Sequence, residues 1–184
     1  MNGVATVWGT SPEERALAYP CDAFVARADL ACWRGVSVAA DAPTVFRWLC
    51  QLRAAPYSYD WIDNLGRRSP RRLTPGLEEL ALGQRVMTIF ELVDFEPGRH
   101  LTVRTRRFVP GLWRSIAGSY VARPEGPRAT RLLVKLVAEL RPGRLGAAAG
   151  RLLAWGDLVM MRRQLLNLKA LAEATARENA PAAR

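Results

Sequence analysis

The chain has a single histidine, His100, and three cysteines, Cys21, Cys32 and Cys50, without CxxC spacing. That scarcity excludes much chemistry. An odd, unpatterned set of thiols supports neither a disulfide framework nor a structural zinc site. A nucleophile–histidine machine would have to run through His100, which follows the turn-like EPGR. The cysteines read instead as small buried hydrophobes. Lysine is almost missing, with only Lys135 and Lys169, so the formal charge of +10 rests on arginine. An Ala/Arg-heavy, Lys-poor composition reflects GC-rich coding as readily as selection for a polyanion, so only clustering of the charge speaks for nucleic acid or an anionic surface. No apolar run reaches the roughly 18 to 20 residues that span a bilayer. The opening MNGVATVWGTSPEER lacks a basic stretch followed by an apolar one. A cytoplasmic location is expected, with no metal and no cofactor.

What is present is the balance of a globular domain: 49% hydrophobic and 24% charged over 184 residues. Residues 1–30, with Pro12 and Pro20 and weak periodicity, read as an arm that packs on the domain or frays. The domain itself is expected over 31–180. Residues 32–39, CWRGVSVA, form a strand candidate with Val36 and Val38 on one face. A helix start follows: Asp41 caps, Pro43 fits the first turn, and Val45, Trp48, Leu49 and Leu52 share one face until Pro56 ends the helix. A single helical turn is expected over 77–82. Residues 85–95 and 100–108 then read as a hairpin with one dry face, and 115–123 and 128–140 as a second pair. From about 145 to 178 there is no proline, and Leu152, Trp155, Val159, Leu166 and Ala170 trace a helical stripe read as core.

Strand, helix, irregular aromatic segment, antiparallel strands and one long terminal helix make an α+β order rather than alternating βαβ. An antiparallel sheet with one dry face needs a cover, and the terminal helix is the only element long enough.

The run VSVAADAPTVFRWLCQLRAAPYSYDWIDN, then GLEELALGQRVM, a β-meander, and a helix containing DLVMMRRQLLNLKALAE resemble the START-like superfamily, also called SRPBCC or polyketide cyclase/dehydrase-like. The resemblance rests on Asp41, Ala42 and Pro43 joining the early strand to a helix with Val45 and Trp48, on Gln51, Tyr57, Ser58, Tyr59 and Asp60, and on Gly83 and Gln84. It implies a helix-grip architecture: a curved antiparallel sheet wrapped around the terminal helix, with an internal hydrophobic cavity. Members carry lipids and other hydrophobes or act as polyketide aromatases and cyclases. They share no catalytic motif, so no catalytic residue is carried over. Many have an aspartate where this chain has Gln84.

On this reading the chain binds or transports a hydrophobic or amphipathic small molecule, lipid, fatty-acyl or polyketide-like. Its expected lining is Trp48, Tyr57, Tyr59, Trp61, Phe90 and Leu92 from the first part of the chain. Val103, Tyr120, Trp155 and Val159 complete it. The aromatics of 57–61 either form a cavity wall, with Tyr57, Tyr59 and Trp61 on one side of an extended segment, or plug a gap between helix and sheet. The enzyme alternative is an aromatase or cyclase, with Glu91 or Tyr59 moving a proton; Glu91 is expected to point outward. Asp60 and Asp63 form a possible carboxylate pair, for which ion pairing with Arg67 and Arg68 is expected. The third alternative is a nucleic-acid or anionic-membrane-surface binder using Arg67, Arg68, Arg71 and Arg72, for which a solvated loop is the default. The chain is expected to act as a monomer or homodimer.

Overall fold

The computed structural model describes residues 3–106 and 113–179. In chain order the elements are β1 (Val7–Trp8), α1 (Pro12–Arg15), β2 (Leu30–Val38), α2 (Ala42–Cys50), α3 (Asp60–Asp63), β3 (Arg85–Val86), β4 (Phe90–Glu96), β5 (His100–Thr105), β6 (Trp113–Gly126), β7 (Ala129–Leu140) and α4 (Arg144–Glu178). The strands form one seven-stranded sheet, ordered β1-β2-β7-β6-β5-β4-β3. It is antiparallel except where the short β1 runs beside β2. The sheet is curved and unclosed, and α4 lies across it: a helix-grip fold. The expected end of the hairpin at 107–108 and the domain end at 180 lie outside the described residues.

Local chemistry explains the first half. Asp41 accepts the amide of Thr44 at 2.8 Å, satisfying an orphan donor at the start of α2. Ala42, Val45, Trp48 and Leu49 then bury one face of that helix. Residues 75–78 form a turn rather than the expected helical turn at 77–82. Gly76, at φ 80°, takes a left-handed conformation within that turn.

The sheet is dry on both faces at its centre. On the outer face the N-terminal arm lays Tyr19, Cys21 and Val25 over Ala117, Leu133 and Val137. Under this cover Thr102 bonds Ser119 at 2.9 Å, and Ser119 accepts the Cys21 amide at 2.8 Å. These hydroxyls therefore lie in the interior. Lys135 pins the arm through Asp22 at 2.7 Å.

The inner face meets α4, and here the structure corrects the expected stripe. Leu152, Trp155, Val159 and Leu166 are exposed, whereas Ala149, Ala154, Leu165, Leu168 and Ala172 are buried. The buried side begins with small residues because the helix starts in close contact with β7. A Cβ on Gly150 would fall 2.5 Å from Leu140 Cδ1, and one on Gly146 would fall 1.6 Å from the Arg141 carbonyl oxygen. Close approach selects glycine and alanine inward and leaves larger apolar residues outward.

Candidate functional site

A cavity of about 420 Å³ lies between the sheet and α4. Its floor is Val103, Gly118, Tyr120, Val134 and Leu136, and α4 roofs it with Leu153, Gly156, Met160 and Met161. Ile89 and Phe90 reach it from the start of β4. Gly118 is paired with Val103 on one side and Leu136 on the other. Its missing side chain leaves space where a larger residue would fill the floor.

Few polar groups reach this apolar space. Tyr120 donates its hydroxyl to Gln164 Oε1 at 2.7 Å, and Gln164 Nε2 donates to the Pro56 carbonyl at 2.5 Å. Burial pushes the Tyr120 phenol far above its ordinary range, so it stays a donor. Asp157, one turn from Met160 and Met161, has a side chain only 5% exposed and lies 2.7 Å from Arg34 Nη2. Arg34 sits on the inner face of β2 and also donates to the carbonyls of Ala5, Trp33 and Ala154. Asp157 Oδ2 and Arg34 Nε have no hydrogen-bond partner among the described residues. Burial pushes the Asp157 carboxyl up to about 6, with the arginine charge opposing. A second carboxyl, Asp63, reaches the wall beside Ser58, whose hydroxyl donates to Asp63 Oδ2. Burial raises its pKa too, and its Oδ1 has no partner. The site is thus an apolar chamber with two carboxyls biased towards protonation.

Of the residues singled out from sequence, Phe90, Val103 and Tyr120 lie on this cavity. Leu92, paired with Val103, is buried in the main core. Trp48 donates Nε1 to Thr175 at 3.0 Å and meets Tyr57 edge-on at 6.1 Å between centroids. Both fill the seam between α2 and α4 rather than line the cavity. Tyr57 has φ 57°, and α3 begins three residues later, so the segment does not alternate as an extended strand. Tyr59 lies under Arg163 beside a smaller, separate groove, and Trp61 is 76% exposed. Trp155 and Val159 are on the outer face of α4. Glu91 pairs with Arg104 at 3.0 Å and is not on the cavity wall. Asp60 accepts both the amide and the hydroxyl of Ser69. Neither Asp60 nor Asp63 forms the expected ion pair with Arg67 or Arg68; short serine hydrogen bonds hold both carboxylates locally. Arg67, Arg68, Arg71 and Arg72 are exposed.

Arg34, Asp157 and Gln164 escaped the sequence reading. The signal was present. Period-two alternation puts Arg34 on the same face as Cys32 and Val36, and Asp157 is the sole carboxylate in α4 before Glu173.

No protein-family model matches the sequence. No curated protein matches it either. Solved structures do. The di-domain aromatase/cyclase StfQ of the steffimycin biosynthetic pathway aligns with TM-score 0.54 and 15% identity over 80% of this chain. The present chain spans about half of StfQ, 51% of its length. The hypothetical protein jhp0584 of Helicobacter pylori aligns with TM-score 0.53 and 14% identity, covering 85% of this chain and 96% of that one. A Thermobifida fusca protein aligns with TM-score 0.51 and 16% identity over 84% and 98%. At these identities the likeness is one of fold: the chain has a helix-grip fold.

Proposed function

We propose that this protein binds a hydrophobic or amphipathic small molecule, of lipid, fatty-acyl or polyketide-like character, in the cavity between the sheet and α4. The observation that carries the reading is the apolar chamber of about 420 Å³ opened by Gly118 and bounded by few polar groups. Its size falls within the range of small-molecule sites, and apolar walls with a few convergent polar groups are the usual design. An apolar body would lie against Val103, Val134 and Leu136, and a polar end would meet Asp157 or the Tyr120–Gln164 pair.

A neutral naphthylamine probe tests this. Saturable one-to-one binding is expected, together with a hydrophobe retained through purification and seen in native mass spectra. Gly118→Leu should abolish probe binding while keeping the fold, because a Cβ there meets its nearest neighbour at an ordinary 3.5 Å. Undiminished binding in that variant, or no saturable binding in the parent, rejects the cavity as the site.

The raised pKa values of Asp63 and Asp157 favour a second reading, an aromatase or cyclase-like enzyme in which one carboxyl moves a proton on a bound polyketone. Under it, Asp157→Asn or Asp63→Asn binds the probe as the parent does but loses turnover of a poly-β-ketone thioester. Equal turnover in both variants and parent removes these acids from the chemistry. Glu91, ion-paired with Arg104, has less support for that role.

A further inference from the structure

The outward face of α4 is unusual for a helix that packs on a sheet. Leu145, Leu152, Trp155, Val159 and Leu166 are each at least 40% exposed. They repeat at helical spacing, and the stripe extends about 30 Å at 1.5 Å per residue. Single exposed apolar residues are ordinary, but a continuous stripe marks an interaction surface.

Charge decides what fits it. Arg144, Arg151, Arg162 and Arg163 flank the stripe, all exposed, and none forms an ion pair among the described residues. Arg162 lies 5.6 Å from the Trp8 ring and Arg163 5.9 Å from the Tyr59 ring. These ring contacts hold two of the guanidinium groups beside the stripe. Between Arg144 and Ala172 the only carboxylate of the helix is Asp157, which is buried; from outside the helix Asp60 shares the groove with Arg163, where it is held by Ser69. Docking the face on its own copy in antiparallel fashion would set one arginine row against the other. A nucleic acid would match the arginines but leave the leucines and Trp155 unused.

We propose that the outer face of α4 docks on an anionic bilayer surface, with the stripe in the headgroup–acyl boundary and the arginines on lipid phosphates. The position of the cavity agrees. Leu152 belongs to both the stripe and the cavity wall, and Ile89, 54% exposed, stands at the same opening. Trp61, 76% exposed, shares a groove with Arg163 and Ala170 and extends the apolar surface along α4. Docking brings the cavity mouth to the membrane, but the surface itself does not depend on the cavity being occupied.

Flotation of the full chain with phosphatidylcholine vesicles, with and without about one-third phosphatidylglycerol, tests the proposal. Binding is expected only to the anionic vesicles and should fall steeply with salt. Trp155→Ser/Val159→Ser should lower it at least tenfold, and Arg151→Glu/Arg162→Glu at least as much, since each arginine is worth about fivefold near such a surface. None of these residues lines the cavity, so naphthylamine binding should be unchanged in both variants. That readout separates failure here from failure of the cavity reading. Equal binding to neutral and anionic vesicles, or none to either, overturns the proposal. So does a concentration-dependent dimer that Trp155→Ser/Val159→Ser dissolves, which would assign the face to a second copy.

Discussion

Arg34 and Asp157 meet at 2.7 Å across the seam between β2 and α4, with side chains 1% and 5% exposed. The two partners are not equivalent. Arg34 has three backbone carbonyl acceptors besides the carboxylate, whereas Asp157 relies on Arg34 for its charge. Removing the arginine strands three carbonyls and leaves a buried carboxyl that must take up a proton to stay in the interior, a loss on the order of 3 to 5 kcal/mol. Arg34→Leu should therefore destabilise more than Asp157→Asn, which leaves the arginine three acceptors and should cost about 1 to 2 kcal/mol. Urea unfolding of both variants at neutral pH gives the order. Equal or reversed losses would contradict the asymmetry.

The same carboxyl predicts a pH dependence of defined sign. In the fold it holds its proton up to about 6, against 3.8 for a free aspartate. Between those values the folded state binds the extra proton, so this group makes stability fall as pH rises through the interval and level off above it. Carboxylates such as Glu14, held low by its hydrogen bond from Arg131, contribute the opposite slope at lower pH. The difference between parent and Asp157→Asn isolates the Asp157 contribution: from pH about 4 to about 6 the parent should lose stability relative to the variant. A constant difference across that range would show that the carboxyl does not titrate there.

Tyr120, Gln164 and the Pro56 carbonyl form a hydrogen-bonded chain at the cavity wall. Tyr120→Phe leaves Gln164 Oε1 without its donor in a residue 4% exposed, and should cost about 1 to 3 kcal/mol. Gln164→Leu strands the Pro56 carbonyl, leaves the phenol only the Met87 sulfur at 3.8 Å, and should cost more. Because the bond between them is lost in either variant, the double variant should lose less than the two single losses combined. Additive losses in a double-mutant cycle would mean that the two side chains act independently.

How much of this was legible before the structure depended on the scale of the signal. The α2 cap at Asp41, the meander and the long terminal helix follow from local spacing, and they suffice for the helix-grip order. The orientation of α4 did not follow, because both of its faces are apolar. Leu152, Trp155 and Val159 satisfy a helical period as well as Ala154, Leu165 and Leu168 do. What chooses between the faces is distance to β7, a tertiary quantity that glycine and alanine record only indirectly. The aromatic segment failed for a related reason: Tyr57 in a left-handed conformation redirects the chain, so alternation assigns Tyr59 and Trp61 to the wrong surroundings. The cavity's two carboxyls, Asp63 and Asp157, come from α3 and α4, and the arginine that pairs with Asp157 comes from β2, so only packing joins them.

The glycines of α4 offer the sharpest comparison of propensity with packing. In a helix interior alanine is favoured over glycine by about 1 kcal/mol. Gly156 has open space around a hypothetical Cβ, so Gly156→Ala should realise most of that gain, raising Tm by about 2 to 4 °C for a chain of this size. The methyl group also takes a little volume from the cavity roof, so naphthylamine affinity should change slightly. Gly146 has the same intrinsic preference and the opposite surroundings. Its Cβ would lie 1.6 Å from the Arg141 carbonyl oxygen and 2.7 Å from the carbonyl carbon, backbone atoms that cannot rotate aside. Gly146→Ala must displace the start of α4 from the Arg141 backbone that follows β7 and should lose at least about 2 kcal/mol despite its better propensity. Thermal unfolding of the two variants beside the parent checks both signs. If Gly146→Ala stabilises as much as Gly156→Ala, the first turn of α4 does not sit against the Arg141 carbonyl, and close approach is not what selects its small inward residues.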